Sequence, residues 1–466
     1  MEEKPTPTRK RLNYENKLIL APMVRIGTLP MRLLALDYGA DIVYTEELVD
    51  RKLLRSIRRE NDVLGTIDYI DNTDGTVAFR TCPRERDNVV LQIGTSDPAR
   101  AAQVARMVEK DVAGIDVNMG CPKNFSIVGG MGAALLSKPQ QASSILRELI
   151  ETVSIPVTCK IRVLPDLKET LQLCDTLTST GIEAIAVHGR TINEGPQHSN
   201  RNHVLKQISE RLPIPMIANG GSKDIQNHSD ILRFKKETGS SSVMVARAAE
   251  WNCSVFRKEG PLPMDDVIKS YLKYAVDCDN PPSNTKYCVQ NILRELQDSI
   301  LGKKFLNAQT LEQICELWEL GDYCRSKMKE FQDKGLLGRF QVSPDMLDED
   351  TKDDCISQKR KIHEEEDVAM MRFAFLRSNY TRDEELPKTR LLKWTKDQHK
   401  KMPVYDTRRN EKLFCSIVTV DGRKYGSSFW EKNKKWAEQG AALVCLYFLE
   451  IIDEKSLTTS GNVLSR

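Results

Sequence analysis

The sequence predicts an α/β protein: a (β/α)8 TIM barrel, then a small helical domain, then a C-terminal domain of order α-β-β-β-α. Three observations carry this. From residue 18 to about 256, eight short apolar runs alternate with amphipathic stretches. From 262 to about 340 the strand signals stop and helical periodicity takes over. Beyond an acidic stretch, a basic segment places three strand-like runs between two helical ones. At 466 residues the chain has room for about three domains of roughly 150 residues each.

The barrel is expected over 12–260. Its strand-like runs are Leu18–Ala21, Asp41–Thr45, Val89–Ile93, Gly114–Asn118, Val157–Ile161, Ala184–His188, Pro215–Asn219 and Ser242–Ala246. They are rich in Val and Ile, nearly continuously apolar, and bounded by Gly, Pro or Asp. That pattern suits parallel strands covered on both faces. Amphipathic stretches such as Pro98–Lys110, Pro139–Val153 and Leu167–Thr180 lie between them. Eight such units fit a barrel of about 250 residues. An open doubly wound sheet is the competing architecture, but no GxGxxG follows the first strand.

The helical domain is expected over 261–342, with helices at Met264–Asp277, Lys286–Leu301, Leu311–Leu317 and Tyr323–Lys334. An acidic linker follows over 343–367; between Asp345 and Asp367 it holds ten acids against four bases, a composition that disfavours a packed core. The third domain is expected over 368–450. Pro387–His399 reads as a helix. Val404–Thr407, Leu413–Val420 and Lys424–Phe429 read as strands, the last two joined by the hairpin signal Asp421-Gly422, and Glu431–Leu449 reads as the second helix. Between Lys388 and Lys435 there are fourteen Lys or Arg against five Asp or Glu. Residues 451–466 are expected to be a tail, frayed from Ser456 onward.

With 40 % hydrophobic and 29 % charged residues, the composition is that of an ordinary soluble chain. No run of about 18 apolar residues is present, so no membrane association is expected. The polar start, Met1 to Arg11, has no apolar h-region and argues against a secretory signal. Twelve scattered cysteines without a CxxC pair suit reduced thiols and a cytoplasmic location, and predict neither a disulfide framework nor a metal site.

Function is read at the C-terminal ends of the strands, where barrels carry their active sites. Strand 1 ends in Pro22, Met23 and Val24. Strand 3 ends at Gln92. Strand 4 ends at Asn118 and, after the turn at Gly120, Cys121. Strand 5 carries Lys160, strand 6 His188 and Arg190, strand 7 Asn219, Gly220 and Gly221, and strand 8 Ala246 and Arg247. Polar groups at so many equivalent places need a common ligand. Gly220-Gly221 and Ala246-Arg247 stand where barrels commonly bind phosphate, and Arg247 can add a bidentate contact. Lys160 and His188 face the edge of a flat heterocycle whose other sides Pro22, Met23 and Gln92 line. A phosphate tail and a polar-edged ring describe FMN.

The motifs Ala21-Pro22-Met23, Asn118-x-Gly-Cys-Pro, the Gly129–Ala133 turn, Cys159-Lys160, Val187-His-Gly-Arg190, Ala218-Asn-Gly-Gly221 and Val245-Ala-Arg-Ala248 resemble those of the tRNA-dihydrouridine synthases, over roughly residues 18–340. The added C-terminal domain makes the chain look like the eukaryotic branch that acts on position 20. The resemblance implies an FMN enzyme that uses NADPH to reduce the C5–C6 double bond of uridine in the D-loop of tRNA. It implies that the flavin hydride goes to C6 and that Cys121, as a general acid, protonates C5. A thiol of ordinary pKa near 8.5 is protonated at neutral pH, as that role requires. The resemblance further implies that Asn118 holds the uracil and that Arg190 contacts substrate.

The α-β-β-β-α segment resembles a double-stranded RNA-binding domain, and its Lys432-x-Lys434-Lys435-x-Ala437 run matches that family's phosphate-binding signature. Arg372 and Arg377, just before the first helix, extend the basic surface as an arm. Two departures stand out. The usual Gly-Pro loop between the first two strands is replaced by Arg408-Arg409-Asn410-Glu411. Gly440 sits inside the second helix, at a cost of about 1 kcal/mol relative to Ala. Two other functions remain open on the residues: a flavin-dependent reductase of free pyrimidines, and a double-stranded-RNA-binding regulator with a degenerate barrel. The partner expected is tRNA, with no stable protein partner evident.

Overall fold

The computed structural model describes residues 11–71, 76–336, 368–371, 373–380, 382–410, 413–431 and 433–459. The chain forms two compact units. One holds most of the chain up to Cys324; the other holds the remainder from Arg325, with Arg55–Ile57 and Ile70–Val77.

Over residues 18–245 the strands are β1 (Leu18–Leu20), β2 (Ile42–Tyr44), β3 (Leu48–Val49), β4 (Ser56–Asn61), β5 (Thr66–Asp71), β6 (Val77–Thr81), β7 (Val89–Gly94), β8 (Gly114–Met119), β9 (Val157–Arg162), β10 (Ala184–His188), β11 (Met216–Asn219) and β12 (Ser242–Val245). Eight of them, β1, β2 and β7 to β12, pair in parallel in chain order, and β12 pairs with β1 to close the barrel. Each lies within one residue of its sequence expectation. The reason is burial on both faces. Ile19, Ile42, Tyr44, Val90, Ala184, Ala186, Ile217 and Met244 fill the interior, and their outward neighbours pack under helices. The helices are stopped and started by local chemistry. Asp97 caps Pro98–Val108 by accepting from the Arg100 amide at 2.8 Å, and Asn227 and Asp230 form a capping box for His228–Thr238.

The crossover from β2 to β7 was not foreseen. It contains β3, a short helix at Asp50–Leu54, and a three-stranded sheet of order β4-β5-β6. Ion pairs fasten it: Arg58 Nε donates to Asp111 Oδ2 at 2.7 Å, and Arg80 Nε to Asp68 Oδ1 at 2.6 Å. The single helix expected over Lys286–Leu301 is instead Pro282–Leu293, a 3-10 turn at Arg294–Asp298, and Ile300–Asn307. Arg294 breaks the run with φ of 50°, and Ser299 starts the next helix by accepting from the Gly302 amide at 3.0 Å.

In the second unit β13 (Val368–Met371), β14 (Val404–Asn410), β15 (Leu413–Val420) and β16 (Arg423–Ser427) form a sheet of order β13-β16-β15-β14. Helices Pro387–Asp397 and Lys434–Phe448 pack on it through Leu391, Val418, Val420, Tyr425 and Ala441–Leu446. Asp421 and Gly422 both take positive φ, as the two-residue hairpin requires. Three expectations are corrected. The Arg408–Glu411 stretch is not a loop through Asn410: Arg408 pairs with Cys415, Arg409 with Phe414 and Asn410 with Leu413, so β14 simply runs on. The tail is not frayed at Ser456: Glu454–Thr459 is helical, Asp453 accepts from the Ser456 amide at 2.6 Å, and Leu457 is buried in the core. An extra strand, β13, runs parallel to β16 ahead of the first helix. The expected acidic linker, Arg372, Lys432 and the last residues of the tail lie outside the described residues.

Candidate active site

Side chains two apart on a strand share a face, so Asp116 and Asn118 on β8, and Lys160 and Arg162 on β9, project together. The register places Asn118 opposite Lys160, Arg162 opposite His188, and His188 opposite Asn219. The expected strand-end residues therefore meet at one rim. A separate cleft of about 470 Å³, lined by Arg11, Tyr14, Glu183 and Pro215 among others, opens at the N-terminal strand ends, at the other end of the barrel.

Cys121 is held by its backbone. Asn118 Oδ1 accepts from the Gly120 amide at 3.0 Å and the Cys121 amide at 2.9 Å. The Cys121 carbonyl accepts from the Ala133 amide at 3.0 Å. Gly132, with φ of 60°, must be glycine, because a Cβ there would lie 2.9 Å from that carbonyl oxygen and 3.1 Å from Cys121 Cβ. The loop also contains a short helix, Asn124–Val128, whose Phe125 and Val128 are exposed. The thiol is half-buried, and burial raises its pKa, with Glu47 acting in the same direction.

A chain of buried side-chain hydrogen bonds supports this loop. Thr158 Oγ1 donates to Asp116 Oδ1 at 2.7 Å, Gln92 Nε2 to Asp116 Oδ2 at 2.8 Å, and Asn118 Nδ2 to Gln92 Oε1 at 2.9 Å. Asn118 thus spends both ends of its amide inside the protein, and Gln92 is fully engaged in the same chain. Burial pushes the Asp116 carboxyl up to about 6, against the pull of Gln92 and Thr158.

Further round the rim the charge is cationic. Burial lowers Lys160 to about 8, and Arg162 adds to the fall. Burial also drives the His188 pKa well below its usual value, and Lys160, Arg162, Arg190 and Arg247 all push the same way. Arg190 is buried; its Nε donates to the His198 carbonyl at 2.8 Å, and its Nη1 lies 3.3 Å from His188 Nε2, which accepts in the neutral ring. Asn219 gives its amide donor to the Met244 carbonyl at 2.8 Å. Gly220 and Gly221 take φ of 125° and 62°, and a Cβ at Gly220 would collide with Asn200 Oδ1 at 2.1 Å. That Asn200 oxygen is buried and has no hydrogen-bond partner among the described residues. Pro22 and Met23 are half-buried at the same end, whereas Val24 is exposed.

Sequence reasoning missed Arg162, whose Nε donates to the Gly120 carbonyl at 2.8 Å and whose Nη1 donates to the Thr191 carbonyl at 3.0 Å. Its alternation with Lys160 on one strand was the available signal. It also missed Ser126, on the short helix of the same loop, and Glu47, which comes to Cys121 from the segment after β2 and leaves no sequence signature.

In the second unit, Lys434 and Lys435 are exposed on the first turn of the helix that Asn433 caps by accepting from Trp436 at 2.9 Å. Cations at that end oppose the helix dipole; of the two, Lys434 has Glu438 at 3.9 Å. Arg377 folds back, donating to Asp383 at 2.9 Å and to the Tyr380 carbonyl.

Residues 19–265 match the family model described as dihydrouridine synthase (Dus), and residues 387–449 match the double-stranded RNA binding motif. The chain is 36 % identical to the tRNA-dihydrouridine(20) synthase (NAD(P)+) of Schizosaccharomyces pombe, over 77 % of this chain and 78 % of that protein. It is 37 % identical to the protein of the same name from Saccharomyces cerevisiae, over 65 % of this chain and 83 % of that protein. Identity to the human tRNA-dihydrouridine(20a/20b) synthase (NAD(P)+)-like protein is 32 %, over 56 % of this chain and 77 % of that protein. With the family match running through every barrel strand that builds this rim, the chain belongs to the dihydrouridine synthase family of enzymes and carries a double-stranded RNA-binding motif toward its C-terminal end.

Proposed function

We propose that this protein reduces the C5–C6 double bond of uridine to dihydrouridine in the D-loop of tRNA, at position 20. The observation that carries the reading is the shared rim: the Cys121 thiol, kept protonated by burial, stands at the same strand ends as His188, which burial and the charges of Lys160, Arg162, Arg190 and Arg247 keep neutral. So many cations with few acids among them suit an anionic ligand. Position 20 is favoured because the relatives named for it align over more of the chain and at higher identity than the one named for 20a/20b.

The residues fit FMN. Asn200 packs directly on Gly220, its buried Oδ1 lacks a donor, and Arg247 nearby adds charge for a phosphate. Pro22, Met23, Val24, Gln92, Lys160, His188, Asn219 and Ala246 complete its expected surroundings. When bound and reduced by NADPH, FMN supplies the hydride. Cys121 holds the proton destined for C5, and its raised pKa keeps that proton in place at neutral pH. Asn118 fixes the loop and holds the uracil, and Arg190 contacts substrate.

The uridine must leave the RNA stack, at a cost of about a few kcal/mol. Lys432, Lys434 and Lys435, with Arg372 and Arg377, offset that by holding phosphates of the folded tRNA. The parts are the catalytic barrel at 12–260, the helical domain at 261–342, the linker at 343–367, the RNA-binding domain at 368–450 and the tail at 451–466. Dihydrouridine mapping in cells lacking the gene, rescued by wild type or Cys121→Ala, tests the reading. Wild type restores the modification and the alanine variant does not; full modification by the alanine variant overturns the acid role.

A further inference from the structure

Glu47 is a carboxyl beside Cys121 to which nothing above gives a task. It sits between β2 and β3. Because β3 pairs with the end of β7, Leu48 opposite Ile93 and Val49 opposite Gly94, Glu47 is drawn in over that strand end. Gly94 makes room for it: a Cβ there would lie 2.8 Å from Glu47 Oε1. Ser126 Oγ donates to that same oxygen at 3.1 Å. The other oxygen, Oε2, is buried and has no hydrogen-bond partner among the described residues. Ser126 Cβ and Cys121 Cβ both border the space above Gly132, at 3.0 and 3.1 Å from where its Cβ would be. Glu47, Ser126 and Cys121 therefore form one cluster with a vacant carboxyl oxygen.

The charged and titratable groups that act on this cluster come from two sides. Glu47 faces Cys121 from the segment after β2 and favours the protonated thiol, while Ser126 favours the thiolate. Lys160 and Arg162 face the thiol from β9. Glu47 itself is raised by burial and lowered by Cys121 and Ser126. A half-buried acid with an unpartnered oxygen beside a proton donor is placed to exchange protons with it.

We propose that Glu47 recharges Cys121: after the thiol has given its proton to C5 of the pyrimidine, the Glu47 carboxyl returns one to the thiolate through the Ser126 hydroxyl. The balance is simple. The S–H bond of Cys121 breaks as the C–H bond at C5 forms. Ser126 passes its hydroxyl proton to sulfur and takes the carboxyl proton of Glu47. The Glu47 carboxylate then takes up a hydronium proton from solvent, the one proton that each hydride transfer to the pyrimidine consumes. Glu47 is a positioning residue that acts through Cys121, and its assignment rests on the proton-donor reading of Cys121 given above.

The test uses the full-length, flavin-loaded enzyme with a tRNA transcript, comparing wild type with Glu47→Gln and Ser126→Ala. With enzyme in excess and already reduced, the first turnover of Glu47→Gln is expected within about twofold of wild type, because Cys121 starts protonated. Under steady state the rate is expected to fall at least about tenfold, the range general acid–base groups supply, with NADPH oxidation in the absence of tRNA unchanged. Ser126→Ala shows the same split. Equal losses in both kinetic regimes, or an unchanged steady-state rate, overturn the proposal. Should Glu47→Gln fail to fold, Ser126→Ala decides alone on the same criterion. Full activity in Cys121→Ala removes the underlying reading instead, and so separates the two failures.

Discussion

Asn118 Oδ1 accepts the Cys121 amide at 2.9 Å, while its Nδ2 donates to Gln92 Oε1 at 2.9 Å. The side chain that ends the strand thus holds the loop bearing the thiol, and it does so at a fixed orientation. Replacing Asn118 by Ala frees two amides and lets the loop drift. Misplacement of a catalytic group by about 1 Å can cost about 100-fold. Asn118→Ala is therefore expected to lose about two orders of magnitude in dihydrouridine formation, with a stability loss of only about 1–3 kcal/mol. A primer-extension assay for dihydrouridine and a thermal melt measure the two. A large melt shift with retained activity would contradict the assignment.

The orientation of Asn118 is set one step further back. Asp116 only accepts, so it turns the donor of Gln92 toward itself; Gln92 then presents its oxygen to Asn118, and Asn118 presents its oxygen to the loop amides. Asp116→Asn can reverse this chain and set amide donors against the Gly120 and Cys121 amides. Its effect on stability should be the opposite of an ordinary loss. Burial raises the Asp116 carboxyl from 3.8 to about 6, so between those values the folded state binds more protons than the unfolded chain. Stability from this group is present below the unfolded value and falls as pH rises toward the folded one. Asp116→Asn is expected to flatten the pH dependence of the melt between about pH 4 and 6, with activity reduced at least about tenfold. Unchanged activity together with an unchanged melt profile would show that the chain does not act as a unit.

Why some of this was legible in the sequence follows from burial. Barrel strands such as Val89–Gly94 and Ala184–His188 are covered on both faces, so they appear as unbroken apolar runs. The sheet β4-β5-β6 was missed because Ser56–Asn61 shows alternating burial and is anchored by ion pairs such as Arg58–Asp111, which leave no apolar run. Strand-end position was enough to gather Cys121, Lys160 and His188 at one rim. It could not find Glu47 or Ser126, whose relation to Cys121 depends on how two loops fold over Gly94 and Gly132. Nor could it foresee that the Asn118 amide is spent on its own loop, since donor direction is a property of the whole chain from Thr158 onward.

Lys434 and Lys435 stand exposed where the helix dipole disfavours cations. The fold gains little from that placement, only the 3.9 Å approach of Lys434 to Glu438, so their charge is available to a phosphate backbone. Lys434→Ala and Lys435→Ala are expected to weaken tRNA binding and to reduce the salt slope of log K by about 1 each. Turnover at saturating tRNA should stay unchanged, because a phosphate contact serves binding and not the transfer of hydride or proton. Filter binding across a salt series measures the slope. An unaltered slope with reduced turnover would exclude a phosphate contact.

Two helical glycines allow a matched comparison. Alanine gains about 1 kcal/mol over glycine inside a helix on propensity alone. At Gly440 the added Cβ would meet Ser427 Cβ at 3.5 Å and the Phe373 carbonyl oxygen at 3.7 Å, ordinary contact distances. At Gly302 it would lie 2.4 Å from the carbonyl oxygens of both Leu296 and Gln297, backbone atoms that cannot swing aside. The same substitution should therefore act with opposite sign. Gly440→Ala is expected to raise the melting transition of the C-terminal unit by about 4–8 °C, the shift that about 1 kcal/mol produces in a domain of that size. Gly302→Ala is expected to destabilise by about 1–3 kcal/mol, as overpacking does. Calorimetry on the full-length protein reads both transitions, and a stabilising Gly302→Ala would show that the break at Arg294–Ser299 is not the conformation this segment holds.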